Sequence, residues 1–428
     1  MCYAIPAKIV KIDDNTAIVD YFGEEKKILL DLENVKIGDY IYAQGGISVR
    51  KIQEDEAEEI LKIWQETFFE LKKTDEALAK IDQNNLPKNA LHVLQNINLR
   101  KTIKKDEITT LLDLNLTEER KVLYEVANNV RQKEHGNASC VHGIIEFSNY
   151  CQNGCSYCGL NNQQKVTRYR MSADEIVATA QHAVDEYEFK ALVLQSGEDY
   201  FYDDAKLIEI VKRVRALGVL VFLSIGSRSK ELYEKLYDAG ARAALLRFET
   251  SNSEIFKQLR PGTTLDDRLD LIKSLTKMGY ILATGFMLGL PDETTEDLAN
   301  NILLTHALQP EMYSFGPFIP TKGTALESHQ SSSIEKVLNT IAACRFVAPS
   351  GNILLTTAME TLSPTSKRDA LLAGANSMMI NLTPLSYRKL YNIYDNRAGI
   401  DKSIEKSIQE TTELLYSLGR APTDIGLN

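Results

Sequence analysis

The chain has 428 residues, 44% of them apolar and 25% charged, and a formal net charge of −10. That length holds one large enzyme domain plus a small one, and the composition is that of a folded soluble protein. The acidic balance excludes a sequence-independent grip on nucleic acid or anionic lipid, which needs a basic face, and no apolar run of about 18 residues is present to span a membrane.

The N-terminus, MCYAIPAKIV, lacks the long apolar core of a secretion signal. The expected location is therefore the cytoplasm, where thiols stay reduced and cysteines bind metal or react more often than they pair. Residues 1–52 read as four or five short strands of a small β-barrel: KIVKID, TAIVDYF, KKILLDL and the bent run GDYIYAQGGISVRKI. Turn residues at Asp13-Asp14-Asn15 and Gly23-Glu24 separate them. A helix follows, with an acidic first turn and apolar Ile60, Leu61, Ile63, Trp64, Phe68 and Leu71 at helical spacing. The polar, Pro-containing stretch after it predicts a linker over 84–94, between a small unit at 1–83 and a large one at 95–428. Residues 90–135 read as a further helical segment leading into the large unit.

From His142 the pattern becomes strand, helix, strand, helix. GIIEFSN, KALVLQSG, VLVFLSIG, ARAALLRFE, YILATGFMLG, MYSFGPFIP, NILLTTAM and SMMIN are nearly continuous apolar runs, as parallel strands buried on both faces should be. Ser172 and Glu175 form a capping box, and Gly218, Gly240, Gly279 and Gly374 stand where helices must stop. The fold class is α/β, a (βα)8-type TIM barrel with a small N-terminal β-barrel, so ligands belong at the strands' C-terminal ends.

The first of these strands runs out into Cys151, Cys155 and Cys158, spaced C-x3-C-x2-C with Tyr157 before the last. A structural zinc site wants four protein ligands, and a fully protein-bound 4Fe-4S cluster wants four cysteines. Three thiolates leave one iron open to a substrate's amino and carboxylate groups, the ligation that radical S-adenosylmethionine (SAM) enzymes use. Three unrelated buried cysteines, or zinc with an outside fourth ligand, are the competing readings. The second strand ends in Gln195-Ser196-Gly197-Glu198, where small residues admit a ligand close to backbone and a carboxylate can pair with an ammonium. The fourth ends in Arg247-Phe248-Glu249, whose charges, two apart, share one face and suit a zwitterion. Later strand ends supply Met287, Thr356 and Thr357. Cys140 and Cys344 read as structural, and the six histidines form no metal pair at helical spacing.

The phrases IIEFSNYCQNGCSYCGL, VLQSGEDYFYDD, LLRFETSN, LRPGTTLDDRL, GFMLGLPDET, GPFIPTKGT, LLTTAMET and NLTPLSYRKLYNIY, in this order, resemble HydE, the radical SAM maturase of FeFe-hydrogenase. The resemblance implies one 4Fe-4S cluster on Cys151, Cys155 and Cys158. It implies SAM on Tyr157, Ser196, Gly197, Glu198, Arg247, Glu249, Arg268 and Met287. A small-molecule or organometallic substrate would lie against Gln195, Thr356, Thr357 and Tyr391, with Tyr391 or Tyr394 closing the cavity. An electron donor such as flavodoxin or ferredoxin and other hydrogenase maturation proteins are the implied partners. The implied reaction is reductive cleavage of SAM to a 5′-deoxyadenosyl radical that attacks an iron–cysteine–carbonyl–cyanide complex. Three departures stand at strand ends: Ser227 for a Glu, Glu360 for a Gly, and Met379–Pro384 reading MINLTP where the family has MPNWTP. They raise a different organic or sulfur-containing substrate as an alternative; a non-catalytic iron carrier is a second.

Residues 1–75 resemble HypC, the small chaperone of NiFe-hydrogenase maturation, through MCYAIPAKIV and IGDYIYAQGGISVRKIQEDEAEEIL. That resemblance makes Cys2 an iron ligand. It also marks a departure, because Gln44 stands where that family has histidine.

Overall fold

The structure, a computed structural model, describes residue 3 and residues 5–81, 91–98 and 102–425. Cys2 and residues 84–90 of the expected linker lie outside the described residues.

Five short strands, β1 (Ala7–Asp13), β2 (Thr16–Tyr21), β3 (Glu24–Leu29), β4 (Tyr40–Gln44) and β5 (Ile47–Ile52), close a small barrel in the order β1-β2-β3-β5-β4. Strict alternation on β2 sends Ala17, Val19 and Tyr21 inward. The helix α1 (Glu54–Leu78) covers the barrel with Trp64, Phe68 and Leu71. Ile63, expected on that stripe, is 71% exposed; it lies one position before Trp64, a 100° turn off the buried face. Three helices, α2 (Leu91–Asn98), α3 (Lys105–Leu112) and α4 (Thr117–His135), make up the helical lead-in, so the last residues of the expected linker already open α2.

Eight parallel strands then form the large barrel: β6 (Ala138–Ser148), β7 (Ala191–Ser196), β8 (Leu220–Ser224), β9 (Ala243–Leu245), β10 (Ile281–Thr284), β12 (Met312–Ser314), β14 (Asn352–Leu354) and β15 (Ser377–Asn381). Pairing of β15 with β6, Ser377 opposite Cys140 through Asn381 opposite Ile144, closes it. All eight coincide with the apolar runs of the sequence. The Ser172 capping box is present, and Gly218, Gly240, Gly279 and Gly374 all have positive φ. Two runs break at their tops: β11 (Met287–Leu288) and β13 (Gly316–Pro317) form a separate pair above the barrel. At the break a Cβ on Gly285 would stand 2.3 Å from Ser314 O, so only glycine lets the two chains pass.

A ninth strand, β16 (Ala421–Pro422), adds to the start of β6. There the small barrel docks, at the N-terminal ends of the strands. Gly45 packs on Leu220 and Ile281, the first residues of β8 and β10. Tyr40, Tyr42, Val49 and Ile52 cluster with Ala191 and Leu220. Asp31 pairs with Arg215 and Arg242 at 3.1 and 3.0 Å. Above this floor a layer of Ile144, Val193, Phe222, Ala283, Met312 and Leu354 fills the lumen. Among the described residues no helix is long and apolar enough to cross a membrane.

Candidate active site

At the opposite end, the C-terminal mouth of the large barrel opens on a cavity of about 320 Å³, the scale of a small-molecule site. Cys151, Cys155 and Cys158 all line it, on the loop that leaves β6. Turns of its own, such as Cys158 N–H to Cys155 O at 3.3 Å and Asn162 N–H to Asn153 O at 2.9 Å, shape that loop, and its surroundings anchor it. Gln152 N–H donates to Glu198 O at 3.0 Å, Ser156 N–H to Leu259 O at 3.0 Å, and Gly159 N–H to Ile393 O at 2.9 Å. The Arg168 guanidinium gathers the carbonyls of Asn149, Leu160, Asn161 and Gln164, the last three at 2.8, 2.7 and 3.1 Å. Glycine is required twice at the crossings, since a Cβ on Gly159 would meet Asn392 O at 2.2 Å and one on Gly197 would meet Tyr150 O at 2.2 Å. Burial, joined by neighbouring Cys155, pushes the Cys158 thiol up to about 12, and burial raises Cys155 against the pull of Arg260. Free, these two thiols are protonated at neutral pH; bound metal is what makes such groups thiolates.

The other expected residues converge on the same cavity: Tyr157, Ser196, Gly197, Glu198, Arg247, Glu249, Arg268 and Met287, and also Gln195, Thr356, Thr357, Tyr391 and Tyr394. Arg247 Nη2 pairs with Glu249 Oε2 at 3.2 Å. Glu249 sits at φ 68°, and its carbonyl accepts the Met287 N–H at 2.8 Å, which ties the ends of two strands together. Arg268 Nε donates to Arg247 O at 2.8 Å, and its Nη1 to Ser227 Oγ. Thr357 and Tyr394 hydroxyls bond at 2.7 Å.

Three charged residues were not singled out from the sequence. Arg260, inside the quoted phrase LRPGT, binds Glu198 Oε1 at 3.1 Å. Arg397 lines the cavity and forks onto buried Glu146, whose Oε2 also accepts from Asn381 Nδ2 at 2.8 Å. The one signal was Glu146 itself, a carboxylate inside the apolar run GIIEFS; a charge there needs a partner. Arg247, Arg260, Arg268 and Arg397 against Glu146, Glu198 and Glu249 leave the site with one positive charge in excess, which suits an anionic cluster and a carboxylate. The donor set, the glycine clearances and this charge balance fit a three-thiolate 4Fe-4S cluster with SAM beside it.

The strand-end departures mostly face away. Glu360 is absent from the lining and pairs with Lys367 at 3.0 Å. Ile380 and Leu382 join the outer core, while Met379 and Asn381 alternate with them toward the cavity. Ser227 touches the site only through Arg268.

The radical SAM superfamily pattern matches residues 145–304, the HupF/HypC family pattern residues 1–64, and the biotin and thiamin synthesis associated domain residues 314–419. The chain is 36% identical over 324 residues to the [FeFe] hydrogenase maturase subunit HydE of Thermotoga maritima, covering 76% of this chain and 93% of that protein. It is 29% identical to the 3-methylornithine synthase of Methanosarcina acetivorans, over 75% of this chain and 90% of that one. The crystal structure of methylornithine synthase (PylB) superposes with a TM-score of 0.68 at 25% identity, covering 77% and 96% of the two chains. HydG, a maturase of the [FeFe]-hydrogenase, superposes at 0.67 and 19% identity over 82% and 78%, a likeness of fold. The cysteine loop, the barrel and these matches agree: the chain belongs to the radical SAM family of the hydrogenase maturase HydE, and carries a HupF/HypC-family domain at its N-terminus.

Proposed function

We propose that this chain is a maturase that reductively cleaves SAM and uses the resulting 5′-deoxyadenosyl radical on an iron–cysteine–carbonyl–cyanide precursor of a hydrogenase metal centre. The observation that carries it is the convergence of Cys151, Cys155 and Cys158 with Gly197, Glu198 and Arg247/Glu249 on one cavity at the strands' C-terminal ends. Cys151, Cys155 and Cys158 would hold a single 4Fe-4S cluster, which when reduced would supply the electron for cleaving SAM to methionine and the radical. Glu198, held by Arg260, accepts the methionine ammonium; Gly197 lets SAM approach the backbone of β7; Arg247 and Glu249 clamp its other charges. The apolar layer beneath closes the cavity to water from below, so the radical meets substrate rather than solvent. Gln195, Thr356, Thr357 and Tyr391 line the remaining volume and orient the substrate.

Two features favour a HydE-like substrate over an unrelated organic one. Glu360, Ile380 and Leu382 stand outside the cavity lining, and the lining keeps Asn381. In the cell the chain works in the cytoplasm with a flavodoxin- or ferredoxin-type donor and other maturation proteins, and Cys2 of the N-terminal domain binds iron.

The test is anaerobic reconstitution with iron and sulfide, then SAM and dithionite, with 5′-deoxyadenosine as readout and Cys155→Ala as control. The expected outcome is 5′-deoxyadenosine from the native chain and none from the variant, with consumption of an added iron–cysteine–carbonyl–cyanide complex. A fully loaded cluster that yields no 5′-deoxyadenosine even with that complex present would leave the chain a carrier and overturn the enzymatic reading.

A further inference from the structure

The lower end of the large barrel holds a second set of metal-binding groups that radical SAM chemistry does not use. Cys140 and His142 stand two apart on β6 and both point into the lumen. Asp424, just beyond β16, reaches them across 282 residues of chain. Their sulfur, imidazole nitrogen and carboxylate oxygen lie within 4.8 Å of one another, with the residues 6%, 3% and 1% exposed. His142 Nδ1 stands 2.9 Å from Asp424 Oδ2, and among the described residues this buried ring nitrogen makes no hydrogen bond. Such a group is rare enough to need a reason. Asp424 is aimed by the Val141 N–H, which donates to its Oδ2 at 2.8 Å.

Cys140 and His142 line a cavity of about 20 Å³, room for one ion or one water. The small barrel caps it with Gln44 and Gly45, and Gln44 Nε2 donates to Thr423 O at 2.6 Å. The docked domain thus closes the pocket and holds the segment that carries Asp424.

We propose that Cys140, His142 and Asp424 bind one divalent first-row transition ion, zinc or ferrous iron, at a site separate from the cluster. Thiolate, imidazole and carboxylate are the mixed donor set such ions take. Around an ion with bonds of 2.0–2.3 Å the ligand atoms sit roughly 3.3–3.7 Å apart, so side-chain shifts of about 1 Å bring the three groups onto one ion. The fourth position is left to a small exogenous ligand such as water, as in other zinc sites with three protein ligands. The layer of Ile144, Phe222 and Met312 separates this pocket from the upper cavity.

The experiment uses the full-length, cluster-loaded protein incubated with Zn²⁺, desalted and analysed for zinc by mass spectrometry and by zinc-edge X-ray absorption. The wild type is expected to retain about one zinc with one sulfur in its shell. Cys140→Ser and His142→Ala should each bind about one equivalent less while keeping their iron and their rate of 5′-deoxyadenosine formation. Zinc undiminished in Cys140→Ser, or none retained by the wild type, overturns the proposal and leaves the pocket to an ordered water.

Discussion

Gly197 carries more of the site than its size suggests. A side chain there would meet Tyr150 O at 2.2 Å and Cys151 Cβ at 2.8 Å, so Gly197→Ala must displace the loop that holds the first cysteine. The variant is expected to fold yet retain several-fold less iron and sulfide than the wild type after reconstitution, which direct iron and sulfide analysis reads. An unchanged cluster would show that the loop yields at no cost. The same crowding explains why this residue was legible early: a small-small-Glu sequence after an apolar strand implies close approach before any partner is known. Arg260 and Arg397 were not legible in that way. An arginine is ordinarily a surface residue, and nothing within a few positions of either says that a carboxylate from another strand, Glu198 or Glu146, will sit against it.

At the scale of elements, a turn above the barrel holds a carboxyl whose titration is shifted by burial. Beyond β11, Glu293 accepts the Gly289 N–H at 2.6 Å, and burial pushes its carboxyl up to about 7 against that hydrogen bond. Its ordinary value is 4.5, so the folded state binds the proton more tightly than the unfolded chain does. The contribution to stability is therefore fully present below pH 4.5 and declines as pH rises to 7. Glu293→Gln removes that titration while keeping an acceptor for Gly289. Urea unfolding at pH 4.5 and pH 8 should show the variant losing less stability than the wild type across that interval, by on the order of 2 kcal/mol. Equal losses would mean that Glu293 titrates normally.

At the scale of the molecule, the two barrels are joined by more than a linker. Asp75, near the end of α1, forks onto Arg131 of α4 at 2.6 and 2.8 Å, and Arg420 Nε stands 3.5 Å away. All three side chains are at most 1% exposed. Gly419 makes the approach possible, since a Cβ there would strike Asp75 N at 2.2 Å. Breaking one partner of a buried ionic set strands the others, at about 3–5 kcal/mol. Asp75→Asn should lower unfolding free energy by that order and loosen the N-terminal domain, which chemical denaturation and hydrogen exchange in α1 both detect. A change below about 0.5 kcal/mol, the size of an ordinary surface substitution, would mean the contact is dispensable. The docking also sets a boundary on any exchange of iron between domains: the small barrel sits under the floor of the large one, with the filled lumen layer between it and the cysteine loop.

What the sequence determined by itself was whatever local spacing encodes. Eight apolar runs alternating with amphipathic helices specify a parallel barrel, because strands buried on both faces admit few polar residues. Three cysteines within eight residues place three thiols on one loop, because their separation is set by the chain itself. Tertiary structure alone decided where distant segments meet: the small barrel against the N-terminal strand ends, Arg397 on Glu146, and Asp424 beside Cys140 and His142. Those contacts join residues hundreds of positions apart, and their energy comes from burial and charge pairing in a closed interior. No local periodicity records such contacts.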